Sequence, residues 1–469
     1  MLGLESAPRW QRVALGLIVG AAVVVAGAAA LLALSSGGST SSPAAASNLV
    51  TATPTSAPSP VPSPSPTPIR HAAPLDGAPI SDEEWEARKD LLPIAVMVDN
   101  SPSAYPQSGL DRADLVYEAF VEGGITRFMA VFWAHDTDFV EPVRSARTPF
   151  VNWVSELDAL YAHAGGATTE NDANAIGQIA EWGIKDLNAF APASSNAYYR
   201  DSARYSPYNL VAGTSWLREA AAKLGYAGPA ASEPWLFKAD DPGSSAGAPA
   251  GGIEVSFRDR RVPWQLVQWH WDRATDSYLR FQAGGPHVDG QTGEQLRFKN
   301  VVVMRVPWQV VDESGHVLLD QFGQGPATVF VDGRAIEGTW RKKDRTGRTR
   351  FYDGSGAEIA FNRGPIFIEV VGPESLVTVA AEASGLPEMP PYEPPPQAVP
   401  EATSDGGETA TPTQEATPLP SATPGGSPSP HPSASVSPSA SSTPAPSATT
   451  AAPTTVVPTP RAAASATAH

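Results

Sequence analysis

Proline is spread too unevenly along these 469 residues for the chain to fold from end to end. One falls at Pro8, 10 between Ser35 and Ile80, 17 between Ser81 and Ala380, and 20 in the stretch from Ala381 to His469. Proline fixes φ and removes a backbone donor, and segments dominated by Pro, Ser, Thr, Ala and Gly bury too little apolar surface to offset the entropy of ordering. Residues 376–469, with runs such as Pro424-Gly425-Gly426-Ser427-Pro428, are therefore expected to form a disordered tail. Residues 35–80, with Pro58-Ser59-Pro60-Val61-Pro62, favour extended polyproline-type conformers and read as a spacer. The Ser/Thr/Pro content of the tail also permits O-glycosylation.

Ahead of the spacer, residues 13–34 (Val13 to Leu34) carry no charge, and a bilayer core of about 30 Å needs about 20 apolar residues in helix. The segment is expected to be a transmembrane helix. Arg9 and Arg12 precede it and no basic residue follows until Arg70, which places residues 1–12 in the cytoplasm and the rest outside. The alternative is secretion after signal cleavage, with Ala28-Ala29-Ala30 as the peptidase site. Zero cysteine excludes disulfides, thiolate metal sites and lipid attachment through cysteine. With 32 Lys+Arg against 49 Asp+Glu, the chain lacks the basic footprint of a nucleic-acid binder.

What remains is a core whose first half, residues 81–228, alternates strand and helix signals. Ile94 to Val98 reads as a buried strand, and Leu115–Val121 and Ile125–Trp133 as a hairpin about Gly123-Gly124. Thr148 and Pro149 open a helix whose apolar residues Phe150, Val154, Leu157 and Tyr161 keep a helical spacing, and two further helices follow Thr169 and Thr214. Residues 229–252 read as a Gly/Pro-rich linker. Residues 253–375 hold only short β-rich runs, among them Leu266–Trp271, Val301–Val306 and Ile366–Val371. The expected fold is an α/β (α+β) lobe followed by a predominantly β lobe, with a cleft between them suited to a ligand.

Several motifs in the core resemble the YerB-like bacterial lipoprotein family, a two-part domain of unknown function. They include Pro93-Ile94-Ala95-Val96-Met97-Val98-Asp99-Asn100, Glu122-Gly123-Gly124-Ile125-Thr126-Arg127-Phe128 and Pro142-Val143-Arg144-Ser145-Ala146-Arg147. His163-Ala164-Gly165-Gly166, Arg204-Tyr205-Ser206-Pro207-Tyr208-Asn209 and Gly285-Pro286-His287-Val288-Asp289 extend the likeness. The resemblance covers about Leu91 to Gly372 and implies an extracytoplasmic domain of the bacterial envelope, with no catalytic residues to carry over. This chain departs from the pattern at Glu141, Ala167 and Tyr208, where glycine, serine and histidine are common, and in lacking the lipobox cysteine.

Arg144, Ser145 and Arg147 lie directly before the helix that Thr148 opens, where free amides and the helix dipole favour an anion. The competing reading pairs these arginines with carboxylates such as Glu118, Glu122 or Asp158. His163, with Glu122, is the candidate acid/base, and Arg200, Arg204, Tyr208 and Asn209 form a polar loop able to hold sugars or anions. His287 and Asp289 alternate as on a strand, but no histidine shows zinc spacing, so no metal and no cofactor are expected. The leading expectation is a membrane-anchored envelope protein that binds an anionic or glycan-type component. The alternatives are a hydrolase or transferase acting on peptidoglycan or lipid-linked phosphate, and an interaction module for another envelope protein.

Overall fold

A computed structural model describes residues 69–229 and 233–392. The apolar run 13–34 lies outside them, as do residues 35–68 of the spacer and the tail beyond 392. Among the described residues no helix is long and apolar enough to cross a membrane, so the expected transmembrane helix has no counterpart there.

The fold is mixed α+β with strands predominating. The first half supplies helices α1 (Asp82–Arg88), α2 (Thr148–Leu157), α3 (Ala175–Glu181) and α4 (Thr214–Lys223). It also supplies strands β1 (Ile94–Asp99), β2 (Leu115–Phe120), β3 (Thr126–Phe132), β4 (Leu160–His163) and β5 (Lys185–Asn188). The second half adds β6 (Gly252–Ser256), β7 (Leu266–Asp272), β8 (Ser277–Gln282), β9 (Asn300–Arg305), β10 (Gly323–Val331), β11 (Arg334–Lys342), β12 (Ile366–Val371) and β13 (Leu376–Ala380).

Local signals account for most of these boundaries. Ser81 and Glu84 close a reciprocal capping box at α1. The β2–β3 hairpin turns through Gly123 and Gly124, both at positive φ, with Phe120 opposite Thr126. Helix α2 departs from expectation at both ends. Arg147 takes the cap position without a side-chain bond, and Asp158 enters the left-handed region at φ 50°, so the helix stops at Leu157. Tyr161, which kept the helical spacing, belongs instead to β4.

One 11-stranded sheet runs through both halves. Its path is β11-β10-β9-β12-β2-β3-β1-β4-β5, with the short strand Ala248–Pro249 at the β11 end and Arg350–Asp353 also pairing β11. At its centre β12, from the end of the core, lies parallel to β9 on one side and β2 on the other. Hydrogen-bonded backbone therefore occupies the junction at which a cleft between lobes was expected. A second sheet contains β8, β7, β6 and β13 in that order. Two boundaries drawn from proline content shift accordingly. Leu376–Ala380, expected in the tail, pairs with β6, and His71–Ala72 pairs with Pro79–Ile80 inside the expected spacer. Strand pairing there depends on alternation over a few residues, which a proline count averages away.

The central strands of the large sheet are buried on both faces. One face carries Val96, Val116, Phe128 and Phe367 against Ile253, Val255 and Trp269 of the second sheet and Leu217 of α4. The other carries Met97, Tyr117, Val131 and Ile368 against Phe150, Trp153, Val154 and Leu157 of α2.

A polar knot sits inside the first of these cores. Glu118 on β2 and Glu369 on β12 are direct cross-strand neighbours, and both are fully buried. Arg280 from β8, also fully buried, donates from Nη2 to Glu118 Oε2 at 2.5 Å, and its Nε lies 3.9 Å from Glu369 Oε1. Asn100 and Thr126 donate to Glu118 Oε1 at 2.9 and 2.6 Å, and Trp269 donates to Glu369 at 2.9 Å. Burial, reinforced by the Glu118 charge, pushes the Glu369 carboxyl well above its ordinary range and favours its protonated form. His287 completes the knot between Arg280 and Gln107, held neutral by burial and the adjacent guanidinium.

Two outcomes follow from this knot. Replacing Arg280 by Met leaves Glu118 buried without its cation and is expected to cost about 3–5 kcal/mol in urea unfolding. Glu369 has its pKa raised from 4.5, so folding retains a proton that the unfolded chain loses, and wild-type stability falls as pH climbs from 4.5 toward the raised value. Glu369→Gln keeps a donor toward Glu118 without the titration. Urea midpoints measured between about pH 5 and 8 should decline less for this variant than for wild type.

Candidate functional site

The segment leading into α2 brings the expected arginines to the end of β1. Val143 bridges to Val98 and Arg144 N donates to Met97 O at 2.9 Å, which fixes residues 143–147 beside that strand. Asp99 closes β1 directly opposite Arg127 of β3, and Glu122 sits in the β2–β3 turn.

These side chains make a tight group of three cations and two anions. Arg144 Nε stands 2.8 Å from Asp99 Oδ2, a contact of charges whose N–H is not aligned along it. Arg147 holds Glu122 with Nε at 2.7 Å and with Nη2. Arg127 donates from Nη1 to Ser145 O at 2.8 Å and lies 3.8 Å from Glu122, while its Nε has no partner. Burial first, then the charges of Arg147 and Arg144, pulls the Arg127 guanidinium down to about 10. Burial would raise the Glu122 carboxyl, but the Arg147 hydrogen bond and both arginine charges outweigh it and bring it to about 2.

Tyr208 reaches this group from the distant polar loop. The Arg144 guanidinium lies 5.5 Å from the centre of its ring, within the range of a cation–π contact. The rest of that loop is engaged in holding its own shape. Arg200 donates to Asn209 at 2.7 Å, and Asn209 donates to the carbonyls of Asp201 and Arg204. Arg204 pairs with Glu141 at 3.1 Å and donates to Ala104 O at 2.7 Å, so the buried Glu141 carboxylate finds its counter-ion here.

His163 turns its ring to partners outside the group. It is fully buried at the end of β4, not at a helix terminus, with Nδ1 2.7 Å from Gly165 O and Nε2 2.8 Å from Asp186 Oδ1. Both ring nitrogens are committed, which leaves neither for an incoming group. The start of α2 offers fewer free amides than its sequence implies, because Phe150 and Val151 already donate to Arg147 O and Pro149 has no N–H. Ser145 contributes its carbonyl, as the acceptor of Arg127. Arg127 itself went unnamed as a site residue; its only signal was a charge inside the otherwise apolar run Phe128–Phe132 and its neighbours.

The Arg147–Glu122 pair has a measurable signature. A carboxyl depressed to about 2 adds stability above its unfolded pKa of 4.5 and loses it as pH falls toward 2. Arg147→Ala should therefore flatten the acid limb of the stability profile between those values, read by thermal unfolding at each pH.

The comparisons with known proteins agree with this architecture. Two adjoining family descriptions match, "Protein of unknown function (DUF3048) N-terminal domain" over residues 77–227 and the corresponding "C-terminal domain" over residues 253–368. A protein of Bacillus subtilis (strain 168) named "Putative lipoprotein YerB" is 30% identical over 270 residues, covering 58% of this chain and 78% of that one. The crystal structure of YerB from Bacillus subtilis superposes with a TM-score of 0.57 at 26% identity, covering 66% of this chain and all of that one. With both of its domains matched in order and their strands joined edge to edge in one sheet, this chain belongs to the DUF3048 family.

Proposed function

We propose that this chain is a membrane-associated extracytoplasmic envelope protein that binds an anionic envelope component at the Arg127, Arg144 and Arg147 cluster. The observation that carries the reading is the charge count. Three guanidinium groups share two carboxylates, Asp99 and Glu122, which leaves one positive charge without a counter-ion among the described residues. Arg144 is the most accessible of the three, with about a quarter of its side chain (27%) exposed. A phosphate or carboxylate arriving there would complete the balance through charge-assisted hydrogen bonds, and the Tyr208 ring beside it suits an attached sugar. The envelope location rests on the uncharged run 13–34, the exported composition of the flanks and the name of the Bacillus relative. A hydrolase or transferase is less well supported: Glu122 is too acidic to hold a proton near neutral pH, and His163 is already committed.

The test uses the full chain in detergent micelles, titrated with muropeptides and with undecaprenyl phosphate. Arg144→Gln is the informative variant, because Arg127 stays beside Asp99 and limits the cost of the lost pair. Binding weakened about tenfold or more in Arg144→Gln, with circular dichroism unchanged, supports the proposal. Equal affinity in wild type and variant, or no binding of either ligand by wild type, rejects it.

A further inference from the structure

A second concentration of positive charge lies on β11 and the loop after it. Residues 341–350 read Arg-Lys-Lys-Asp-Arg-Thr-Gly-Arg-Thr-Arg, six cations and one acid in a chain whose net charge is −17. The fold turns this stretch around a depression of about 520 Å³ bordered by Gly323 and Gln324 at the start of β10 and by Arg341, Lys343, Arg348 and Tyr352.

The pairing within it is incomplete. Arg341 and Arg350 are direct cross-strand neighbours, an arrangement of like charges that destabilises a sheet unless something offsets it. Arg350 is balanced by Glu358 at 2.7 Å and Glu233 at 2.9 Å. Arg341 has only the Tyr352 ring, 4.2 Å away, and exposed Lys343 has no carboxylate partner among the described residues. Beneath them a single buried carboxylate, Glu156, serves both Lys342 at 2.6 Å and Arg348 at 3.3 Å. The Arg348 side chain is only 4% exposed and lies 3.7 Å from the Trp235 ring centre. Its Nε and Nη1 nevertheless have no aligned acceptor. Burying a guanidinium with unused donors is costly unless a ligand meets them.

We infer that this depression is a second anion site, built for a phosphate group carrying two negative charges, such as a phosphomonoester or a pyrophosphate. The six cations of the stretch face four carboxylates, those of Glu156, Glu233, Glu358 and Asp344, an excess of two. A phosphate monoester carries close to that charge at neutral pH and presents several acceptor oxygens. Arg341, Lys343 and Arg348 are the residues that would receive it, with Arg348 supplying a desolvated Nε donor that has no aligned acceptor and the two surface cations supplying capture. The group could come from a lipid headgroup or from a soluble sugar phosphate, since both present the same oxygens.

Isothermal titration of the detergent-solubilised full chain with inorganic pyrophosphate tests the site. Arg348→Ala removes a buried side chain stacked on Trp235 and risks unfolding. The deciding variant is therefore Arg341→Gln with Lys343→Gln, both exposed and without an ion-pair partner among the described residues. Saturable binding by wild type that weakens about tenfold or more in this double variant, and persists in Arg144→Gln, supports the inference and separates it from the cluster at β1. No saturable binding by wild type, or equal binding in the double variant, overturns it. Flotation with vesicles of phosphatidylcholine, with and without phosphatidic acid, assigns the source. Added recovery on the acidic vesicles that the double variant loses points to a lipid headgroup; recovery independent of phosphatidic acid alongside pyrophosphate binding points to a soluble phosphate.

Discussion

The buried triad of Glu118, Arg280 and Glu369 is the contact on which the arrangement of the two halves depends. Two acids placed side by side on adjacent parallel strands would repel each other in a dry interior, where charge is screened weakly. One retained proton and one guanidinium from the second sheet turn that repulsion into a hydrogen-bonded unit. The unit draws one side chain each from β2, β8 and β12, so it forms only when both halves and both sheets are in place. Desolvating so much charge gives little net stability compared with a well-packed apolar core. Its effect is on register, because a slip of one residue between β2 and β12 would leave the two acids on opposite faces of the sheet.

Around that centre the protein distributes charge unevenly. The chain as a whole is strongly acidic, which discourages nonspecific polyanion binding. Two places run against this trend, the arginines at the end of β1 and the basic stretch after β11. They differ in construction. At β1 the guanidinium groups are drawn together by strand ends and by Asp99 and Glu122. After β11 the cations come from one continuous stretch, held open by aromatic rings at Tyr352 and Trp235 and by the single carboxylate of Glu156.

Short-range features of the fold were legible without coordinates. The β2–β3 hairpin is marked by its Gly-Gly turn, and α4 by its start at Thr214 and stop near Gly225. β1, β7 and β12 appear as apolar runs. β11 was missed, because its alternation is broken by Gly338 and by charges at Arg334, Glu337 and Arg341. Tyr161 misled because an apolar residue four positions after Leu157 fits a helix equally well, while the left-handed turn at Asp158 has no strong signal in the sequence. In the site, Arg144 and Arg147 stood out by their proximity to a helix start. Their partners Asp99 and Glu122 lie 45 and 25 residues away, distances over which spacing carries no geometric information.

The sequence by itself determined composition-level properties: the uneven spread of proline, the absence of any thiol chemistry, the uncharged segment near the start and the helix and hairpin signals of the core. These depend on each residue and its immediate neighbours. Only the tertiary structure decided that β12 inserts between β9 and β2, that Glu369 meets Glu118 and Arg280, and that Arg127 joins Arg144 and Arg147. Such contacts join residues from tens of positions apart to 100 or more, as with Trp269 and Glu369, and their energies arise from burial and dielectric that exist only once the sheets have closed.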